Sequence, residues 1–196
     1  LPVYDTYVKN GDYEKAPMFT CFEPYFTELE GKTWGIIGLG NIGRKVAEIA
    51  KVFGCRVIFY SASGKNDTTD FERVDFDTLL AESDILSLHC PLTDRTQNLM
   101  NAEAFAKMKS TAILINVARG GIVNEAALAE ALNNKQIRGA ALDVFSAEPL
   151  RESPLYNLQD PYRLLASPHN AWSSVEAIDR LIDCIAGNIQ EYIARK

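Results

Sequence analysis

Two stretches hold residues whose types and spacing bear on chemistry. In "INVARGG" (115–121) an apolar run leads into Ala118, a permanently charged Arg119 and two glycines. A planar guanidinium grips a carboxylate at two points, so an arginine at a strand tip is either surface decoration or an anion clamp aimed into a cleft. In "GIIGLGNIG" the glycines at 38, 40 and 43 have the G-x-G-x-x-G spacing. With that spacing Gly38 permits a tight turn, Gly40 lets the backbone approach a pyrophosphate, and Gly43 lets a helix pack closely on a strand. The free N–H groups at the start of that helix would hold the phosphates. About eighteen residues after Gly43, where NAD-binding folds usually carry an acid for the ribose hydroxyls, the chain has Ser61 in "FYSASGKN". Without a carboxylate a 2′-phosphate is not repelled. Ser61, Ser63 and Lys65 could hold one, although no arginine stands in that stretch for a two-point grip. The implied cofactor is NAD or NADP, with the choice open.

Such residues need a scaffold, and the hydropathy pattern supplies one. From Lys32 onward short apolar runs alternate with stretches of helical spacing. Strands are expected at 33–38, 55–60, 84–89, 111–117, 139–145 and 163–167. Helices are expected over "NIGRKVAEIAKVFG", "DFDTLLAES", "NAEAFAKMK" and "NEAALAEALNNK". A capping box of Ser173 and Glu176 opens a last, long helix whose stripe is Ile178, Ile182, Ile185, Ile189 and Ile193. Nearly all-apolar strands between helices call for an α/β fold: a doubly wound parallel sheet of Rossmann type, covered on both faces. Ligands of such sheets bind beyond the carboxyl ends of the strands, which is where Arg119 falls. Three segments are expected: an aromatic-rich extended arm at 1–30, a dinucleotide-binding domain at 31–172, and the C-terminal helix at 173–196.

Composition narrows the classes. With 196 residues, 47% of them hydrophobic and 23% charged, the chain can build one good core. A net charge of −6, with Lys and Arg scattered, argues against nucleic acid or an anionic membrane as the main partner. No apolar run approaches a membrane span and no secretory signal opens the chain. Cys21, Cys55, Cys90 and Cys184 lie far apart, with no metal-type spacing, and read as buried reduced thiols of a cytoplasmic protein. No metal site is expected.

The blocks "GKTWGIIGLGNIGRKVA", "DILSLHCPLTDRTQNLMN", "AILINVARGGIVNEAAL", "GAALDVFSAEP" and "SPHNAW" occur in an order that resembles the D-isomer-specific 2-hydroxyacid dehydrogenase family. The ending "PHNAW" is most similar to members that reduce glyoxylate or hydroxypyruvate. The resemblance implies hydride transfer between NAD(P)H and a small 2-keto or 2-hydroxy acid, in a homodimer. It puts Arg119, Glu148 and His169 in the catalytic positions, and chemistry agrees with each. Arg119 would bind the carboxylate and polarise the carbonyl, His169 would donate the proton, and Glu148 would stabilise the protonated ring and fix it. It further implies Asn41 and Ile42 at the pyrophosphate, Cys90, Pro91 and Thr96 near the adenosine, and Val117 and Asp143 near the nicotinamide carboxamide. Ala118, Arg119 and His169 complete the contact set. His89 reads as cleft lining rather than as an acid. The glycines after Arg119 are expected to let the following loop pass close to the cofactor.

Family members are longer, with a separate substrate domain built mostly from about one hundred residues that this chain does not show. The chain begins at Leu1, in what resembles the end of a hinge helix followed by the arm that family dimers exchange. That start is expected of a cofactor domain separated from a longer protein. Two rivals share the glycine loop: a non-catalytic dinucleotide-sensing corepressor, and a nucleoside-using methyl transferase. The first is told apart by turnover, the second by having no use for the Arg–Glu–His set.

Overall fold

The computed structural model describes residues 2–65 and 70–195. The chain opens with helix α1 (Pro2–Lys9) and a 3₁₀ turn at Tyr13–Lys15, then runs without helix or strand to 32. The start of the expected extended arm is therefore helical, with Asp5 and Lys9 paired one turn apart at 2.7 Å. Strand β1 (Thr33–Ile37) leads through the glycine loop into α2 (Asn41–Val52) and β2 (Arg56–Tyr60). There follow β3 (Glu72–Arg73), α3 (Phe76–Glu82), β4 (Ile85–Leu88), α4 (Ala102–Lys107), β5 (Ile113–Asn116), α5 (Glu125–Asn133) and β6 (Gly139–Leu142). Strand β7 (Leu164–Ala166) and the long helix α6 (Val175–Ala194) close the chain.

All seven strands run parallel in the order β3-β2-β1-β4-β5-β6-β7. This is the expected doubly wound arrangement with one addition. The two-residue edge strand β3 carries only exposed, charged side chains, so no apolar run announces it. The order in which successive strands are laid down reverses between β1 and β4, which opens a crevice at their carboxyl ends. Strand register brings Tyr60, Ile37, Leu88, Asn116, Leu142 and Ala166 into one row across the sheet. The residues that follow them are Ser61, Gly38, His89, Val117, Asp143 and Ser167, so these six leave the sheet along one edge.

Both faces of the sheet are covered. One cluster joins Ile37, Leu86, Leu88, Leu114 and Phe105 to the helices beside them. A smaller one joins Ile36, Val57 and Phe59 to Ala47 and Ala50 of α2. Polar side chains start four helices: Asp75, Asn101, Asn124 and Ser174 each accept a backbone N–H from the first turn. The cap of α6 is thus Ser174 and not Ser173, whose hydroxyl instead donates to the Asn170 carbonyl at 2.9 Å. Helix α2 differs, because its cap is Gly40, with no side chain to occupy the open amides.

The apolar stripe of α6 exists as read, but no residue of that helix is buried. Cys184 on it is exposed and Cys21 only half-buried, so of the four cysteines expected to be buried, Cys55 and Cys90 are. No helix among the described residues is long and apolar enough to cross a membrane. The core and α6 should therefore respond differently to truncation. Leu114→Ala should cost about 2–5 kcal/mol of stability. Ile185→Ala should change the urea midpoint of the isolated chain by less than about 0.5 kcal/mol equivalent. Equal losses would mean that α6 packs on the domain.

Candidate active site

At the glycine loop Gly38 has φ +94° and its amide donates to Tyr60 O at 3.1 Å. A Cβ on Gly38 would lie 2.8 Å from the Cys90 amide nitrogen, and one on Gly43 would lie 2.2 Å from the Gly38 carbonyl oxygen. A Cβ on Gly40 would meet nothing within 4 Å. So two glycines close the turn against protein, and the third faces open space at an uncapped helix start. That arrangement suits a phosphate. Asn41 and Ile42 are exposed there, where their amides begin α2.

Beside the loop lies a cavity of about 580 Å³ whose wall includes Gly40, Ser61, Lys65, Cys90, Pro91 and Thr96. Thr96 is buried and works for the loop: its hydroxyl donates to Pro91 O at 2.7 Å and accepts the Thr93 amide at 2.8 Å. Burial pushes the Cys90 thiol up to about 11, so it is protonated at neutral pH and a poor nucleophile. His89 lines the same cavity, 3.1 Å from the Ser87 hydroxyl, and burial lowers its pKa.

A second cavity, of about 680 Å³, takes in Arg119, Gly120, Phe145, Glu148 and His169. Asn116, fully buried at the end of β5, builds the turn that presents Arg119. Its Nδ2 donates to Arg119 O at 2.9 Å and its Oδ1 accepts the Ala118 amide at 3.0 Å. The guanidinium is exposed and donates through Nη1 to the Ala118 carbonyl at 2.7 Å. Val117 is partly open at the strand tip and Ala118 half-buried. The glycines after Arg119 lie close against protein. A Cβ on Gly120 would fall 1.8 Å from the Phe145 carbonyl carbon, and one on Gly121 would sit 3.1 Å from Leu92.

His169 Nδ1 lies 2.7 Å from Glu148 Oε2, while Glu148 Oε1 accepts the Phe145 amide at 2.9 Å. That amide, with the imidazole second, holds the Glu148 carboxyl below its ordinary range, so it is a carboxylate at neutral pH. His169 sits at φ +54°, a left-handed conformation unusual for a non-glycine residue. Asp143 stabilises the loop around it. Its Oδ1 accepts the Ser167 hydroxyl at 2.6 Å and the Asn170 amide at 3.0 Å, and its Oδ2 accepts the Ala171 amide at 2.9 Å. Burial pushes the Asp143 pKa up, but these hydrogen bonds outweigh it and the net shift is downward. Trp172 adds a bond from Nε1 to His169 O at 2.9 Å.

Several site-building residues escape a reading of the sequence. Asn116 carries a usable signal, since an Asx side chain at a strand end commonly makes a turn. Glu125 carries none, yet it accepts the Ser146 amide, the Ser146 hydroxyl and the Ser153 hydroxyl, each at 2.7 Å. Among the described residues no group of three or more His, Cys, Asp or Glu is placed to hold a metal.

A family model described as "D-isomer specific 2-hydroxyacid dehydrogenase, NAD binding domain" matches residues 1–171. The glycerate dehydrogenase of Methylorubrum extorquens is 38% identical over 193 residues, which are 98% of this chain and 60% of that protein. The glyoxylate reductase of Thermofilum pendens is 40% identical over 192 residues, 94% of this chain and 55% of that one. Among solved structures, an acyclic imino acid reductase (Bsp5) in complex with NADPH and D-Arg superposes with a TM-score of 0.82 at 32% identity. The match covers 96% of this chain and 60% of that one. The chain thus spans a little over half the length of these relatives.

The glycines separate stability from binding. Gly120→Ala pushes a methyl into the Phe145 backbone and should lower stability by about 1–3 kcal/mol or more. Gly40→Ala should leave the melting temperature near wild type and weaken NADH binding. Tight NADH binding by Gly40→Ala would remove the phosphate from that loop.

Proposed function

Because the chain belongs to the D-isomer specific 2-hydroxyacid dehydrogenase family, as its NAD-binding domain, we propose that it is the cofactor-holding part of a reductase of small 2-keto acids. Glyoxylate and hydroxypyruvate are the substrates that the relatives' names favour. The observation that carries this reading is the shared cavity of Arg119, Glu148 and His169, on the same sheet edge as the open glycine loop.

A nicotinamide cofactor bound at this edge would supply the hydride for reduction and accept it in the reverse direction. Everything else falls to the chain's own residues. Gly38, Gly40 and Gly43, with the amides of Asn41 and Ile42, hold the pyrophosphate. Val117, Ala118 and Asp143 lie toward the nicotinamide end, and Ser61, Cys90, Pro91 and Thr96 toward the adenosine. Arg119, with no carboxylate partner among the described residues, binds the keto acid's carboxylate and draws electron density from its carbonyl. With Nδ1 held by Glu148, Nε2 of His169 is the ring nitrogen left to deliver a proton to the carbonyl oxygen. Glu148, kept ionised by the Phe145 amide, fixes the orientation of the ring. The relatives bear the names of dehydrogenases and reductases, and turnover is what tells this reading from a sensing role.

We also place the protein in the cytoplasm, as a two-fold homodimer. Two of its free thiols are buried, which suits a reducing compartment. The arm leaves Phe19 88% and Phe26 78% exposed, and α2 leaves Val52 86% exposed. Exposed apolar side chains of this size call for a cover, and a second copy provides one. Sedimentation should show a dimer at micromolar concentration, and a monomer there would overturn the assembly.

The chemistry is tested on the enzyme carrying this domain, with a panel of keto acids and both reduced cofactors. Arg119→Lys keeps the charge but loses the two-point grip, so it should raise KM and lower kcat together. His169→Ala should act mainly on kcat, by roughly two to four orders of magnitude. Glu148→Gln keeps the shape but loses the charged acceptor that holds the His169 ring, so it should lower kcat and leave NADH binding near wild type. Wild-type turnover in Arg119→Lys would refute the clamp.

A further inference from the structure

The adenosine cavity contains a cation that the stretch after β2 lacks. Arg95, from the loop after β4, lines the same cavity as Ser63 and Lys65 from the loop after β2. Neither cationic side chain has an ion-pair partner among the described residues. Two other arginines near this loop are engaged: Arg44 on the first turn of α2 is held by Asp70 at 2.9 Å, and Arg73 donates to the Gly64 carbonyl at 3.4 Å. The β2 loop is folded by a turn in which Gly64 N donates to Ser61 O at 3.0 Å and Gly64 takes φ +74°. Ser63 Oγ there accepts the Lys65 amide at 3.3 Å, which leaves its own proton free to donate. Among the described residues the one acid in the wall is Asp94, so the described charged side chains lining the cavity, Lys65, Arg95 and Asp94, sum to +1 with His89 neutral. A dinucleotide with two bare ribose hydroxyls gives these cations nothing to neutralise. A phosphate does.

We propose that Arg95 and Lys65, with the Ser63 hydroxyl, form a subsite for the 2′-phosphate of the adenosine ribose, and that the chain selects NADP(H) over NAD(H). This rests on the reading of the edge as a dinucleotide site and adds to it the choice of dinucleotide. Arg95 supplies the planar two-point donor, and Lys65 supplies a mobile point charge from the facing loop. Asp94 sets the limit of the preference, since it also repels the phosphate.

The test needs no turnover. Titration calorimetry of the chain with adenosine 2′,5′-bisphosphate and with 5′-AMP compares ligands that differ only in the 2′-phosphate. The bisphosphate should bind at least about tenfold tighter, with a preference that shrinks as salt is raised. Arg95→Ala, an exposed position, should cut the preference by roughly tenfold and leave 5′-AMP binding unchanged. Lys65→Ala should cut it by less. Equal binding of the two nucleotides overturns the subsite while the dinucleotide reading stands. A preference that survives Arg95→Ala overturns the assignment of that residue. If neither nucleotide binds, and NADH and NADPH also fail, the underlying dinucleotide reading falls and the subsite falls with it.

Discussion

A strand buried on both faces must satisfy its backbone through its two neighbours, and here every neighbour runs in the same direction. Parallel pairing in one register stops six strands along a single row, from Tyr60 through Ile37, Leu88, Asn116 and Leu142 to Ala166. Residues scattered from 38 to 169 in the chain therefore meet on one edge. A slip of one residue in any strand would turn its side chains to the opposite face and move its tip out of the row. The apolar content of the strands opposes such a slip, because Ile37, Leu88 and Leu114 are wholly buried as they stand. The core thus determines the site's geometry.

Beyond the edge, order has to come from elsewhere, and it comes from buried polar side chains. Ser61, Thr96, Asn116 and Asp143 are four of the six buried polar residues found, and all four lie in or next to loops leaving the carboxyl edge. Asp143 shows the balance of forces. Holding His169 in a left-handed conformation costs of order 1–3 kcal/mol. Each hydrogen bond to a charged acceptor returns about 1.5–3 kcal/mol, and Asp143 accepts three from the residues flanking His169. Even after the cost of burying the carboxylate, three such bonds exceed the strain of one residue.

The parts legible in the sequence are those governed by local pattern. Six of the seven strands, the helices between them and the glycine turn follow from period and punctuation. Strand β3 does not, since Glu72 and Arg73 keep exposed, charged side chains, and beyond the backbone pairing an exposed Glu72–Arg56 ion pair at 2.8 Å ties them to β2. The start of α6 shows the resolution of such reading, because two adjacent serines compete for the cap and only the fold picks Ser174. The spacing of the glycines after Arg119 does not show what they pack against. The backbone of Phe145, 25 residues on and across the sheet edge, is what excludes a side chain at Gly120. Arg95 was silent for the same reason: "LTDRT" has no period, and its nearness to Lys65 exists only after β2 and β4 flank β1.

The groups proposed to do chemistry are more exposed than the groups that hold them. Arg119 is open to solvent, and the His169 and Glu148 side chains keep 40% and 35% of their surface, whereas Asn116 and Asp143 are buried. That division follows from what each task needs. A clamp or proton donor must reach a ligand and lose little on the way, so its own desolvation has to be small before binding. A positioning group gains from burial, since its hydrogen bonds strengthen where water does not compete. The exposure of the working side chains also leaves the present cavity too wet to make the most of charge on Arg119, because screening weakens an ion pair in water several-fold relative to a closed site. Full use of the clamp requires a second surface over this edge, and the relatives, longer by nearly half of their own length, have chain to spare for one.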